Sequence, residues 1–176
     1  PQILWPYDPL GREIIGTKEV ITSISRDDIY EFQQLHYGPE NIVVSVAGDV
    51  EHESVVGHIV DLMGDMKRHK VQKITKLDAR YNDQKVIAVE QETKQTHLLI
   101  GCRAYAYNKK LEPAARVLAT ILGGGLSSRL FLELRERQGL AYSVFSDYNS
   151  FVDTGAFSVY AGVSPENVAR ATQVII

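Results

Sequence analysis

The sequence contains little that would indicate a secreted, membrane-spanning or nucleic-acid-binding protein. A single cysteine, Cys102, among 176 residues excludes an intramolecular disulfide and is compatible with a reducing compartment. The net charge of -3 offers no cationic surplus for a phosphate backbone, and no apolar run approaches the roughly 18 residues of a membrane span. We therefore expect no nucleic-acid partner, no membrane span and a cytoplasmic location.

Complete catalytic motifs are also missing. In the segment GGGLSSR, Gly123 and Gly125 occupy the first two positions of a G-x-G-x-x-G fingerprint, but position 128 is serine and no P-loop lysine follows. His52 and His58 would lie about 240° apart around a helix, so they cannot share a zinc-binding face. A nucleotide-binding enzyme remains an alternative that a nucleotide titration would test. A tight turn between two helices, with positive φ angles, explains the glycines better.

The first third of the chain has the pattern of helix, strand and helix. Ser25 can cap a helix whose first turn carries two aspartates, which suit the positive end of the helix dipole. The Gly-Pro pair after Tyr37 ends that helix. The β-branched segment NIVVSVAG, residues 41–48, predicts a buried strand, and residues 49–66 return to helical spacing. Residues 67–85 are charged and weakly periodic, which favours a linker.

The remainder of the chain alternates strands and helices. Two strand-like runs come first, at residues 86–90 and 96–104, and Cys102 in the second run is expected to be a small core residue. Pro113 suits the first turn of a following helix, and Gly123 suits its end. Further helices are predicted over SSRLFLELRERQG, capped by one of its two serines, and over SPENVARATQVII, and strands over AYSVFSDYNS and GAFSVYAGV. This order predicts a two-layer α+β fold, with helices on one face of an antiparallel or mixed sheet.

Both ends of the sequence lead us to expect a piece of a longer protein. The chain begins at Pro1 without an initiator methionine, and it stops at Ile176 inside an apolar helical pattern that has no cap. The expected fragment is internal, and its first partner is then the remainder of its parent chain.

Three segments together carry a family resemblance. They are DPLGREIIGTKEVI, HYGPENIVVSVAGDV and the long block from ILGGGLSSRLFLELRERQGLAYSVFS to DTGAFSVYAGVSPENV, in this order across nearly the whole chain. They resemble the pitrilysin (insulinase) family of zinc metallopeptidases, in particular its bacterial branch related to the mitochondrial processing peptidases. The resemblance implies an intact subunit of two homologous α+β halves. Residues 1–68 would then be the end of the catalytic half, residues 69–85 the linker, and residues 86–176 the start of the second, non-metal half.

The resemblance also implies where zinc belongs. The family's site is an H-x-x-E-H motif with a downstream glutamate, and the glutamate inside the motif is the general base on the zinc-bound water. This sequence contains no H-x-x-E-H, and the resemblance implies that the motif lies upstream of Pro1. We therefore expect a parent that is a zinc-dependent metalloendopeptidase, and a chain that alone binds no zinc and is inactive. The alternative is a non-catalytic structural or assembly subunit of the same family; a homodimer or a heterodimer is compatible with both.

What the resemblance assigns to this chain is a substrate-binding wall. In the family an arginine and a tyrosine bind the backbone of the peptide substrate and stabilise the oxyanion, and the matching residues here are Arg135 and Tyr142. A guanidinium offers a charged, planar donor fork for carbonyl oxygens, and a phenol can donate to a developing oxyanion. Gly123, Gly124 and Gly125 are expected to form a turn near the substrate entrance. No catalytic residue and no metal ligand is assigned to the chain.

Overall fold

The computed structural model describes residues 1–68, 75–78 and 86–176. Contacts between residues divide the chain into two compact units. One unit is Ile14–Thr75, and in the other Pro1–Glu13 joins Lys76–Ile176.

These contact units do not test the predicted halves of a family subunit. The assignment of residues 1–68 and 86–176 to two such halves therefore stays a prediction. The linker predicted over residues 69–85 falls mostly outside the described residues, of which this stretch contains only 75–78.

In the described part of the unit Ile14–Thr75 the regular structure is helical, with α1 (Lys18–Ser23), α2 (Arg26–His36) and α3 (His52–Met63). The start of α2 confirms the sequence-based prediction, because Ser25 and Asp28 form a capping box. The Asp28 N–H donates to the Ser25 hydroxyl at 3.2 Å, and the Ser25 N–H donates to the Asp28 carboxylate at 2.8 Å. Helix α1 was not predicted, and the side chain of Thr17 caps it.

Two of the predicted strands are wrong. Residues 41–48 and 86–90 are rich in β-branched side chains, but neither run forms a strand. Val43 is 94% exposed and Val89 is 75% exposed, so these runs do not reach a core. A strand needs a neighbour to complete its hydrogen-bonded ladder, and no described residue pairs with either run. Side-chain propensity therefore overestimates the strand content where the pairing partner is missing.

The second unit is built on an antiparallel sheet of three strands in the order β1-β3-β2. The strands have the predicted bounds, β1 (Thr96–Ala104), β2 (Ala141–Ser150) and β3 (Gly155–Val163). Strands β2 and β3 form a hairpin, in whose loop the Phe151 N–H donates to the Thr154 carbonyl at 2.8 Å. Strand β1 pairs with the other side of β3, so Thr96 and Ala141 both lie opposite Val163.

Helices cover one face of this sheet, as predicted. They are α4 (Glu112–Gly123) and the π-helix Phe131–Arg137, which pack on β2, and α5 (Val168–Ile175), which packs on β3. The core between the layers contains Leu134 and Val163, which are 0% and 1% exposed. On the opposite face Leu99 and Phe145 remain exposed. The unit therefore has the predicted α+β architecture.

Two local predictions need correction. Cys102 lies on β1 but is exposed rather than in the core. The helices pack mainly on β2 and β3, and on β1 it is Leu98 that packs against the core. Ser128 does not cap the helix that follows it. Its hydroxyl is buried and makes no hydrogen bond with any described residue, whereas a cap requires the side-chain oxygen to accept a backbone N–H.

A carboxylate network fixes the start of α4. The Glu112 carboxylate accepts hydrogen bonds from the Asn108 N–H at 2.7 Å, the Arg116 guanidinium at 2.8 Å and the Ser150 hydroxyl at 3.3 Å. The hydrogen bonds from Arg116 hold the pKa of Glu112 below its usual value. Because Ser150 is the last residue of β2, the network ties the helix to the sheet.

Candidate functional site

A cleft opens at the end of the sheet where all three strands meet. β1 and β2 begin at this end and β3 finishes there, because both outer strands run antiparallel to β3. The cleft has a volume of about 410 Å³. Its lining residues come from the strand ends, the end of the π-helix and the segment before α5: Lys94, Gln95, Arg135, Gly139, Leu140, Ala141, Tyr142, Gly162, Val163, Ser164 and Asn167.

Arg135 and Tyr142 are in contact in this cleft. The guanidinium carbon of Arg135 lies 5.4 Å from the centroid of the Tyr142 ring and 5.0 Å from the centroid of the Phe131 ring. Both distances are within the range of cation–π attraction, which contributes about 0.5–1 kcal/mol at an exposed position. The structure thus brings together the two residues that the sequence analysis singled out, and it adds Phe131 as a second ring against the guanidinium.

A short turn connects the π-helix that carries Arg135 to the start of β2. Gly139 has a φ of 59°, in the left-handed region that residues with a Cβ rarely adopt. The Gly139 N–H donates to the Arg135 carbonyl at 3.2 Å, and the Leu140 N–H donates to the Leu134 carbonyl at 2.7 Å, which closes the helix end. The end of the helix at Gly139 was predicted, but its π-helical geometry was not. π-Helical geometry is rare in proteins overall, but where it occurs it is often found at a functional site.

A β-bulge directs the Tyr142 side chain. The pairing of β2 with β3 shifts between Ala141 and Ser143, so Tyr142 is the extra residue of the bulge. Ala141 beside it is buried in the core, whereas Tyr142 is 72% exposed. A bulge re-aims the side chain that it carries, and the Tyr142 ring accordingly lies against Arg135 instead of continuing the alternation of the strand.

The Arg135 guanidinium has no ion-pair partner among the described residues. Arg116 is paired with Glu112 at 2.8 Å, and Arg137 is paired with Glu133 at 2.9 Å. In the described part of the chain, by contrast, no carboxylate lies within 4.0 Å of the Arg135 guanidinium nitrogens. The aromatic rings position this guanidinium while its N–H groups stay available for a ligand.

The three successive glycines lie outside the lining of the cleft. Gly123 ends α4 as predicted, but a Cβ there would lie 2.1 Å from the Ser146 backbone nitrogen, and one on Gly124 would lie 2.7 Å from the Thr120 Cα. Neither these two residues nor Gly125 has a positive φ, so the predicted turn geometry is wrong. Glycine is required at the first two positions for close packing. The role of Gly123, Gly124 and Gly125 at a substrate entrance stays a prediction.

The structural context of GGGLSSR does not fit a nucleotide-binding loop. Helix α4 precedes the glycines, whereas phosphate-binding glycine loops follow a strand and open a helix.

Among the described helices, none has the length and apolar character needed to cross a membrane.

Four polar residues of the cleft were not predicted as site residues. Lys94 and Gln95 precede β1, and Ser164 and Asn167 lie between β3 and α5. Ser164 begins the segment SPENVARATQVII, which was predicted only as a helix, and its hydroxyl accepts a hydrogen bond from the Asn167 amide at 2.9 Å. These residues meet because both β1 and β2 pair with β3. That register is a long-range property, and the only local signal is that each residue flanks a strand end.

Comparison with known proteins identifies the family. Residues 23–176 match the family model described as "Peptidase M16 inactive domain". The chain belongs to the M16 peptidase family. A protein named as an uncharacterized zinc protease from Mycobacterium leprae is 39% identical to this M16 chain over 170 residues. The match covers 95% of this chain but 38% of that protein, so the M16 chain spans well under half the length of this curated relative. The resemblance found in the sequence is thereby confirmed.

Solved structures share the fold of this M16 chain. A protease from Helicobacter pylori superimposes with a TM-score of 0.76 at 27% identity, covering 90% of this chain and 40% of that one. A peptidase M16 inactive domain from Pseudomonas fluorescens superimposes with a TM-score of 0.81 at 21% identity, covering 99% of this chain and 43% of that one. These likenesses confirm the α+β fold.

Zinc does not fit the residues described in this M16 chain. Its curated relatives are named zinc proteases, which supports zinc in the intact family members. A protein zinc site needs three or four His, Cys, Asp or Glu ligands around one point, and the described residues contain no such group. No catalytic step is therefore assigned to a metal held by these residues.

Proposed function

We propose that this M16 chain supplies the peptide-binding wall of a zinc-dependent metalloendopeptidase. The observation that carries the proposal is the contact between the Arg135 guanidinium and the Tyr142 ring, 5.4 Å apart in an open cleft. The names of the curated relatives, which are zinc proteases, support a peptidase as the parent protein. Zinc is proposed for the intact protein, and catalysis then depends on residues beyond those of this chain.

Arg135 is proposed to bind a carbonyl oxygen of the peptide backbone. Its guanidinium keeps its charge at every physiological pH and presents several N–H donors in one plane. Because it lies between the Phe131 and Tyr142 rings, at 5.0 and 5.4 Å, little side-chain freedom remains to be lost when a peptide binds. A preorganised donor of this kind also stabilises charge that develops on the carbonyl oxygen.

Tyr142 is proposed to donate its hydroxyl proton in a hydrogen bond to the developing oxyanion. Other tyrosine hydroxyls of this unit are engaged, since Tyr148 donates to the Tyr105 carbonyl at 2.6 Å and Tyr160 contacts His97 at 2.7 Å. The Tyr142 hydroxyl makes no hydrogen bond with any residue that the structure describes. It is therefore available to a substrate.

Steady-state kinetics of the intact protein on a fluorogenic peptide test these roles. We expect both Arg135→Ala and Tyr142→Phe to lower kcat/KM by about 100-fold, because each variant removes one donor to the developing oxyanion. Thermal unfolding should change little for both variants, since neither side chain is part of the core.

Two matched variants control for unspecific effects. Arg137→Ala removes a guanidinium from the same π-helix, one that is already paired with Glu133, and Tyr107→Phe removes the hydroxyl of another exposed tyrosine. Both should retain nearly full kcat/KM. Equal losses in the site variants and the controls, or no loss at Arg135, would rule out the assigned roles. Peptide binding without any hydrolysis by the zinc-loaded intact protein would instead favour a non-catalytic subunit.

A further inference from the structure

The charged residues that line the cleft are both cations. Arg135 and Lys94 line it, and its other described lining residues are neutral. The acidic residues nearest in sequence to the lining, such as Glu136 and Glu166, are exposed and do not line the cleft. A site with this lining attracts an anionic group at short range, although the whole chain carries a net charge of -3.

Neither cation forms an ion pair within the part of the chain that the structure describes. No carboxylate within the described residues lies within 4.0 Å of the Arg135 or Lys94 side-chain nitrogens. Arg137, two residues further along the same helix, shows the contrast, because it is paired with Glu133 at 2.9 Å. Two positive charges without a carboxylate partner among the described residues therefore lie at one end of the sheet.

We propose that this cleft selects peptides that present a carboxylate, either on an acidic side chain or at the C-terminus. The proposal rests on the proposed function, since it names the class of peptide that the same site binds. Arg135, which is proposed to bind the peptide carbonyl, adds to the positive potential of the cleft, and Lys94 is the cation that remains to bind the carboxylate. Lys94 adds a flexible point charge, and the side chains of Gln95, Ser164 and Asn167 add neutral polar groups.

Binding of labelled peptides to the intact protein tests the preference independently of turnover. The dissociation constant is measured by fluorescence anisotropy with a chelator present to prevent cleavage. In one peptide set, a single glutamate replaces glutamine at successive positions and the C-terminus is amidated. In a second set, the all-glutamine peptide has either a free or an amidated C-terminus. We expect a carboxylate in one of these sets to tighten binding about 10-fold at low salt, and less at high salt.

Charge variants at Lys94 assign the preference to this cleft. Lys94→Gln should weaken binding of the carboxylate peptide and reduce its advantage over the neutral peptide, and Lys94→Glu should abolish or reverse that advantage. Lys110→Gln, which removes an exposed lysine outside the cleft lining, should leave binding of both peptides unchanged. The set that responds identifies the side chain or the C-terminus as the source of the carboxylate.

The outcomes separate the two proposals. If neutral and acidic peptides bind equally while Arg135→Ala still lowers kcat/KM, carboxylate selection is wrong and the proposed function stands. A preference that persists unchanged in both Lys94 variants also overturns the selection, because the carboxylate then binds elsewhere. If no peptide binds, or Arg135→Ala has no effect on any peptide, the proposed function itself fails and the selection fails with it.

Discussion

The contact between Arg135 and Tyr142 depends on the turn at Gly139. This glycine has a φ of 59° and lies between the helix that carries the arginine and the strand that carries the tyrosine. A residue with a Cβ would have to adopt the left-handed conformation at a cost of about 1 kcal/mol, or the turn would have to rearrange.

Replacing Gly139 by alanine should therefore destabilise the protein by about 1 kcal/mol, seen as a lower thermal unfolding midpoint of the intact protein. Gly125→Ala is the matched control. Gly125 has no positive φ, and a Cβ there would meet no atom within 4 Å, so we expect little change. Equal midpoints for the two variants would show that the left-handed turn does not contribute to stability.

The residues of the site differ in how far the sequence could predict them. Arg135 and Tyr142 were found through a family motif, and their contact could be anticipated because only a short turn separates helix and strand. The bulge that exposes Tyr142 was not predicted, because a bulge depends on the register between β2 and β3. Lys94 could not be identified either, because it joins the site through the pairing of β1 with β3.

At the scale of elements, α4 is held on the sheet by a charge that titrates. Glu112 lies in the first turn of the helix, and its hydrogen bonds with Arg116 hold its pKa below the usual 4.5. A carboxylate with a lowered folded pKa stabilises the protein at pH values above its unfolded pKa. This contribution is lost as the pH falls through the folded value.

Glu112→Gln should therefore lower the thermal midpoint at neutral pH, and its difference from the wild type should shrink as the pH falls below about 4.5. Glu136→Gln serves as the control, because Glu136 is exposed and has no ion pair within the described residues. It should follow the wild type at all pH values. A difference between Glu112→Gln and the wild type that is constant with pH would contradict the proposed charge interaction.

Most elements were predicted correctly, α1 being the exception, whereas the two wrong strands have no described pairing partner. Helix α2 begins at its capping box, and strands β2 and β3 have their predicted bounds. Residues 41–48 are richer in β-branched side chains than β2 or β3, but no described residue completes a ladder with them. Strand formation depends on a pairing partner as much as on the residues of the strand itself.

At the scale of the whole molecule, the chain matches only part of the length of its M16 relatives. It covers 38% of the length of its Mycobacterium leprae relative, and its described residues offer a binding cleft without a set of metal ligands. Binding and catalysis are thus proposed to reside in different segments of one intact protein. The central claim is that Arg135 and Tyr142 act as one unit on the same peptide.

A double-mutant cycle in the intact, zinc-loaded protein tests this claim most directly. The measurement is kcat/KM for the wild type, Arg135→Ala, Tyr142→Phe and the double variant on one peptide. We predict that the double variant loses less than the sum of the two single losses, with a coupling energy of about 1 kcal/mol, because each residue positions the other. Strictly additive losses, or no loss in any variant, would contradict the account.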